Sequence, residues 1–294
     1  MTLDIMVPFW GDPALLHATI DTVRRQTDPD WRLTVVDDCY PDPEVAASFT
    51  RETDPRIRYL RNEHNLGITA NYERCRDLAE HDLIVFLGCD DLLLPTYVET
   101  VRAAHERFPE AAIIQPGVQV VDGDGVVVTP LGDRVKAFLR PSTTTATVLA
   151  GEGLATSLLR GNWMYWPSLA FRTDVLRRHA FREGLPIVQD LALVVDMVAA
   201  GESMVVDPAV CFAYRRHEAS ASSTTLVSGD RLGDDRRYYR SAAEQMAGRG
   251  WSRAARAARL RATSRLHAVS LMPGAARAKD AAAFRALVRH AAGA

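Results

Sequence analysis

The chain predicts an α/β fold, a Rossmann-like, mixed but mostly parallel sheet flanked by helices, with a helical appendage at the carboxyl end. Three observations carry this. Short apolar runs alternate with amphipathic segments at βα spacing through about residue 115. Several of these runs end in acids or small polar residues, as strands of open parallel sheets do where they present a ligand site. From Ser241 onward, Glu244 and Asp280 stand among ten Arg and Lys residues on Ala-rich stretches of helical periodicity.

Leu3 to Phe9 reads as a buried first strand, and Pro13 sits where a helix tolerates it, opening one that runs to about Arg25. Arg32 to Val36 is a second strand ending at Asp37-Asp38; Glu44 to Arg51 is helical, and Ile57 to Leu60 a short third strand. Ile68 to Ala79 is helical and feeds Leu83 to Leu87, five apolar residues followed by Gly88-Cys89-Asp90-Asp91. Pro95 opens a helix to about Arg107. Beyond Ile113, Val118 to Val121 and Val126 to Val128 flank the hairpin turn Asp122-Gly123-Asp124-Gly125. Leu131 to Thr147 lacks periodicity and is expected to be a loop over the site. Trp163 to Phe171 is expected to be strand-like, Gln189 to Ala200 helical, and Met204 to Val206 and Cys211 to Tyr214 two short strands. Glu218 to Ser228, rich in Ser, Thr and Ala, reads as a mobile loop.

Apolar residues make up 47% of the chain, enough for a packed core, and a net charge of −2 gives no reason to expect nucleic acid as partner. No apolar run reaches the length of a membrane span, and Asp4 and Asp12 interrupt the one candidate leader. Cys39, Cys75, Cys89 and Cys211 lack zinc or redox spacing and read as reduced thiols of a cytoplasmic protein. The basic tail admits three readings: a solvated face, a homodimer contact, or a peripheral contact at the inner face of a membrane. The solvated face and the dimer contact are favoured because no aromatic belt accompanies the arginines.

Adjacent carboxylates repel, so a cation is the natural neighbour of Asp90-Asp91, although the pair could equally cap the following turn. Asp37-Asp38 could accept from a base N–H or a ribose hydroxyl, or lie in a solvated turn. Asn65 could cap the next helix or, with Asn71, face a nucleotide; Gly67 supplies permissive backbone. Asp190 begins a helix, where an acid is favourable on electrostatic grounds, and is also a candidate general base. Tyr214-Arg215-Arg216-His217 offers cations for phosphate oxygens.

In this order the pieces resemble the family 2 glycosyltransferases with the GT-A fold. The matching stretches are Val7 to Asp12, Val35 to Asp38, Asn65 to Gly67 with Asn71, Phe86 to Pro95, Gly161 to Arg172, Gln189-Asp190 and Tyr214 to His217. The resemblance implies residues 1–228 as a glycosyltransferase domain, with a nucleotide-binding half (1–115) and an acceptor-binding half (116–228), followed by a helical region (229–294). It implies that Pro8, Phe9, Asp12, Asp37 and Asp38 hold the base, that Asn65, Gly67 and Asn71 lie beside the nucleotide, and that Asp90 faces the ribose. Asp91, with His217, would bind Mg²⁺ or Mn²⁺, and Asp190 would be the catalytic base of an inverting transfer. Trp163, Tyr165 and Trp166 would contact the acceptor, core packing being the competing role for Trp163. The donor would be a UDP-, dTDP- or GDP-linked sugar and the acceptor a glycan, a lipid-linked sugar or a natural product. Two departures stand out: Gly88 and Gln189 occupy positions where the family often carries acids. A sugar nucleotidyltransferase is the rival enzyme, but Pro8 to Asp12 is not a Gly-rich, Arg-containing phosphate loop. A non-catalytic nucleotide-sugar-binding protein is the other alternative, which retention of Asp190 disfavours.

Overall fold

The computed structural model describes residues 1–216, 229–278 and 280–292; His217 and the Glu218 to Ser228 stretch lie outside them. Its strands are β1 (Leu3–Phe9), β2 (Trp31–Asp37), β3 (Ile57–Arg61), β4 (Leu83–Phe86), β5 (Leu92–Leu93), β6 (Ile113–Val121), β7 (Thr147–Leu149), β8 (Ala170–Arg172) and β9 (Met204–Arg215). The helices are α1 (Pro13–Arg24), α2 (Pro43–Phe49), α3 (Ile68–Leu78), α4 (Tyr97–Arg107), α5 (Leu131–Leu139), α6 (Gly151–Arg160), α7 (Thr173–Leu176), α8 (Gln189–Ala199), α9 (Gly229–Gly248), α10 (Ser252–Leu260), α11 (Ala262–Arg277) and α12 (Ala281–Ala292).

The strands form one sheet in the order β3-β2-β1-β4-β8-β6-β9-β5, with β7 paired to β9. The β3-β2-β1-β4 block is parallel, as is β6/β9, while β8 runs antiparallel between β4 and β6. This is the mixed, mostly parallel α/β sheet expected. Strands covered on both faces read as continuous apolar runs, and every residue of β4 is buried. One face carries a core with Leu16, Ile20, Val98 and Val101; the other packs Leu158, Leu191, Val195, Tyr238 and Met246. Asp12 and Asp42 cap α1 and α2 through Ala14 N–H and Glu44 N–H, each followed by Pro at the first helical position.

Three expectations change. Leu131 to Leu139 is a helix rather than a loop, and only Ala170 to Arg172 of the aromatic stretch is strand, because Pro167 turns Trp166 to Ser168 into a 3₁₀ helix. The two short late strands are one long β9 that bulges at Pro208, opposite Gly117 in β6. A Cβ at Gly117 would come within 2.7 Å of the Pro208 and Ala209 carbonyl oxygens, so only glycine fits this crossing. Helices α9 and α10 contribute Tyr238, Ala242, Met246 and Ala254 to the main core, whereas α11 and α12 share a small core of Ala268, Ala275, Ala283 and Leu287. No helix among the described residues is long and apolar enough to cross a membrane.

Candidate active site

Parallel pairing puts the carboxyl ends of β1, β2 and β4 on one rim, with Phe9 in register with Asp37 and Asp38 N–H donating to the Phe9 carbonyl. Asp37 is fully buried and accepts from Tyr40 N–H (2.7 Å), Arg61 Nη1 (2.9 Å) and the Tyr59 hydroxyl. Burial and that carboxylate push the Tyr59 phenol up to about 12. Asp38 accepts from Asn62 Nδ2 (2.7 Å), Leu66 N–H (2.8 Å) and Gly67 N–H (2.9 Å). Asn71 is buried, donates to the Val36 carbonyl and accepts from Asn62. Asn65 is exposed and accepts from Gly67 N–H, forming a turn rather than capping α3; the cap is Gly67, at φ 82°.

Asp38 and Asn71 thus help to hold the Asn65-Leu66-Gly67 turn against β2, with Asn62 bridging them. Asp12 is exposed but engaged as the α1 cap. Pro8 is half-buried and Phe9 fully buried, its ring 5.1 Å from Tyr40. The rings the rim offers to solvent are Tyr40, half-buried, and Trp10, 52% exposed and edge-on to it. Tyr40 was missed because it follows the acidic pair in an irregular loop, where periodicity says nothing.

At the end of β4, Asp91 is buried and its Oδ1 accepts from Arg215 N–H on β9 (2.9 Å). Arg215 Nε donates to the Asp90 carbonyl (2.8 Å) and Nη1 to the Gly123 carbonyl (2.6 Å), tying the acids to the hairpin turn. Burial, and then the Asp90 charge beside it, push the Asp91 carboxyl well above the usual range, against the Arg215 amide and charge. A Cβ at Gly88 would lie 2.5 Å from Asp91 Oδ2. The space a further acid would need is already filled by Asp91. Among the described residues, no three His, Cys, Asp or Glu side chains converge as a metal cage. Magnesium sites typically use one or two carboxylates and complete their octahedron with water and phosphate, so an adjacent acid pair suits such an ion.

Across the rim, Asp190 occupies the first turn of α8, partly buried, and accepts from Asn162 Nδ2 (3.2 Å). Burial raises its pKa; the Leu191 amide, Asn162 and the Lys136 charge oppose that rise. Gln189, the second departure from the family pattern, is buried and accepts from the Thr69 hydroxyl of α3 (2.7 Å). Lys136 Nζ, from α5, donates to the Met164 carbonyl (2.8 Å) and lies 4.3 Å from the Tyr165 ring centre. Tyr165 donates its hydroxyl to Asp133 (2.8 Å), which also receives Arg216 through Nε (2.6 Å) and Nη2 (2.9 Å). Two short paths thus join the acid clusters. One runs from Asp38 through Gly67 and α3 to Gln189; the other runs from Asp91 through Arg215-Arg216, Asp133 and α5 to Lys136.

Of the three acceptor aromatics, Tyr165 and Trp166 are partly buried, and Tyr165 stands at this junction. Trp163 is 1% exposed and donates to Ser157, and Trp166 stacks on Phe86 amid Tyr72, Phe171 and Phe181. Trp163 therefore takes the competing role of core packing, while Trp166 packs against the core and is only partly buried. Lys136, Asn162 and Asp133 were missed: α5 had been read as a loop, and a lone Asn or Lys carries no pattern.

The family model described as Glycosyl transferase family 2 matches residues 4–164. An uncharacterized Sinorhizobium fredii protein, y4gI, is 32% identical over 142 residues, 47% of this chain and 15% of that one. An uncharacterized Mycobacterium tuberculosis protein, MT1568, is 26% identical over 241 residues, 77% of this chain and 70% of that one. The chain thus spans about a seventh of the first relative's length and just over two thirds of the second's. The crystal structure of S. aureus TarS residues 1–349 in complex with UDP-GlcNAc superposes with a TM-score of 0.66 at 15% identity, covering 100% of this chain and 92% of that one.

Proposed function

The chain belongs to glycosyltransferase family 2 and is a glycosyltransferase, and from that premise we propose that it inverts configuration, moving a sugar from a nucleoside-diphosphate donor to an acceptor hydroxyl by single displacement. The observation that carries this is Asp190: a partly buried carboxylate with a raised pKa, in the first turn of a helix whose Gln189 is bonded to Thr69, just beyond the Asn65-Leu66-Gly67 turn that Asp38 holds. A base with a pKa moved toward the working pH accepts a proton more effectively.

In this reading the acceptor oxygen forms its bond to the anomeric carbon as its proton passes to Asp190. The bond from that carbon to the diphosphate breaks, and the diphosphate leaves with the electron pair. Asn162 holds the Asp190 carboxylate in place, and its hydrogen bond and the Lys136 charge favour the ionised form. Asp91, helped by Asp90, would hold a Mg²⁺ or Mn²⁺ ion that supplies charge neutralisation at the departing diphosphate. The base would meet Tyr40 and Trp10, with Asp37 anchoring the loop from β2 through Tyr40 N–H. UDP-GlcNAc in the TarS complex makes a UDP-sugar the donor to try first.

The test is release of nucleoside diphosphate with acceptor, alongside thermal shift by UDP with and without Mn²⁺. Asp190→Asn should lower kcat by about 10²–10⁴-fold and leave the UDP shift intact. Turnover retained in that variant would remove Asp190 as base, and pyrophosphate release from a nucleoside triphosphate would replace transfer with nucleotidyl chemistry.

A further inference from the structure

Helix α5 is built inside out. Its polar side chains Asp133 and Lys136 point into the protein, bonded to Tyr165 and Arg216 and to the Met164 carbonyl respectively, and Arg140 just beyond it bonds the Asp207 carbonyl. Its apolar side chains Leu131, Val135 and Phe138, at helical spacing, are 69%, 43% and 88% exposed. The hairpin leading into it adds Val126 and Val127, at 61% and 58%. Scattered exposed apolar residues need no explanation, but five in thirteen residues beside a site make a patch.

The surroundings indicate what the patch meets. The exposed charge on α5 is Arg134; its acid, Asp133, is turned inward. The carboxyl end of α5 adjoins the α11 start at Gly161, where an added Cβ would touch Leu139 (2.6 Å) and Thr263 (3.0 Å). The Thr263 hydroxyl donates to the Arg160 carbonyl. Arg160, next to Gly161, is exposed, as are Arg256, Arg259 and Leu260 of α10, and neither α10 nor α11 contains an acid. The hairpin turn carries Asp122 and Asp124, so the charge that complements an anionic bilayer lies with α5, where Arg134 and, across the junction, Arg160 are exposed; arginines meet headgroups and large apolar groups enter the acyl boundary. The sequence had argued against a membrane because no aromatic accompanied the carboxyl-terminal arginines; Phe138 supplies one from elsewhere in the chain.

We propose that α5 docks on an anionic lipid bilayer, with Leu131, Val135 and Phe138 as the inserted side chains. This goes beyond the transfer reaction and does not rest on it. Flotation of the full chain with phosphatidylglycerol-containing vesicles, against phosphatidylcholine alone, tests it. The wild type should float with the anionic vesicles only. Phe138→Ser should weaken partitioning by roughly tenfold, and the Leu131→Ser, Val135→Ser, Phe138→Ser triple variant should abolish it. An unchanged circular-dichroism melt and UDP thermal shift would establish that these variants remain folded. No flotation of the wild type, or equal flotation of a folded triple variant, would overturn the proposal. So would a concentration-dependent dimer by light scattering that the triple variant abolishes, since the patch would then be a contact between copies.

Discussion

The charge on Asp190 has opposite consequences for catalysis and for stability. Burial raises its pKa in the folded chain, so the folded state holds the proton more tightly than the unfolded chain does. Its contribution to stability is therefore fully present below the unfolded carboxylate pKa and is lost as pH rises through the raised value. Activity runs the other way, because the proposed base works only when ionised. Asp190→Asn should thus be inactive yet melt at least as high as wild type near neutral pH, with the gap closing on acidification; calorimetric melts across pH would show this. A variant that melts lower at neutral pH would mean that Asn162 and Lys136 outweigh the burial. Asn62 is a purely structural counterpart. Asn62→Ala orphans acceptors on Asp38 and Asn71 and should cost about 1–3 kcal/mol, read as a lower denaturation midpoint. Asp190 was legible in the sequence as a candidate base, whereas Asn62 was not, because it follows β3 with no motif around it; the acidic pairs were visible because two charges at a strand end break an apolar run.

At the scale of elements, the link that sets the acceptor side is Thr69 of α3 against Gln189 of α8. It explains a residue that looked like a defect against the family pattern. An amide oxygen accepts the threonine hydroxyl as a carboxylate would, without a second negative charge beside Asp190. Gln189→Glu should keep the hydrogen bond but place a like charge next to the base, moving the acid limb of the kcat–pH profile to higher pH. An unmoved limb would separate Asp190 from the titration that governs turnover. The βα units were readable because apolar runs and capped helices repeat there, as at Asp12-Pro13 and Asp42-Pro43. Helix α5 was not, because its apolar face looks outward and its polar face is satisfied only by Tyr165, Met164 and Arg216, distant in sequence. The short β5 and β7 were equally hidden; tertiary pairing with β9 makes them strands.

For the whole molecule, the sheet divides labour between a rigid parallel rim and an α-helical end held more loosely. The α11–α12 pair has a small core of alanines and one leucine, and its polar tie to α9 runs through Ser264, which donates to Asp235 (2.5 Å) and meets His290 Nε2 (2.7 Å). His290 is fully buried and its Nδ1 has no hydrogen-bond partner. Burial, with Arg261, Arg236 and Arg265 nearby, lowers its pKa; the Asp235 carboxylate works against that. A histidine whose folded pKa lies below its unfolded value contributes stability above about pH 6.5, and loses it as pH falls toward the folded value, because the unfolded chain takes up the proton first. Amide hydrogen exchange in α11 and α12 should therefore accelerate between about pH 6.5 and 5, while β1 and β4, buried on both faces, keep their protection. His290→Leu, which cannot take up that proton, should flatten this local pH dependence. An acceleration shared equally by the parallel strands would instead mean that the helical end and the sheet unfold as one unit, as their common core through Tyr238 and Met246 would allow.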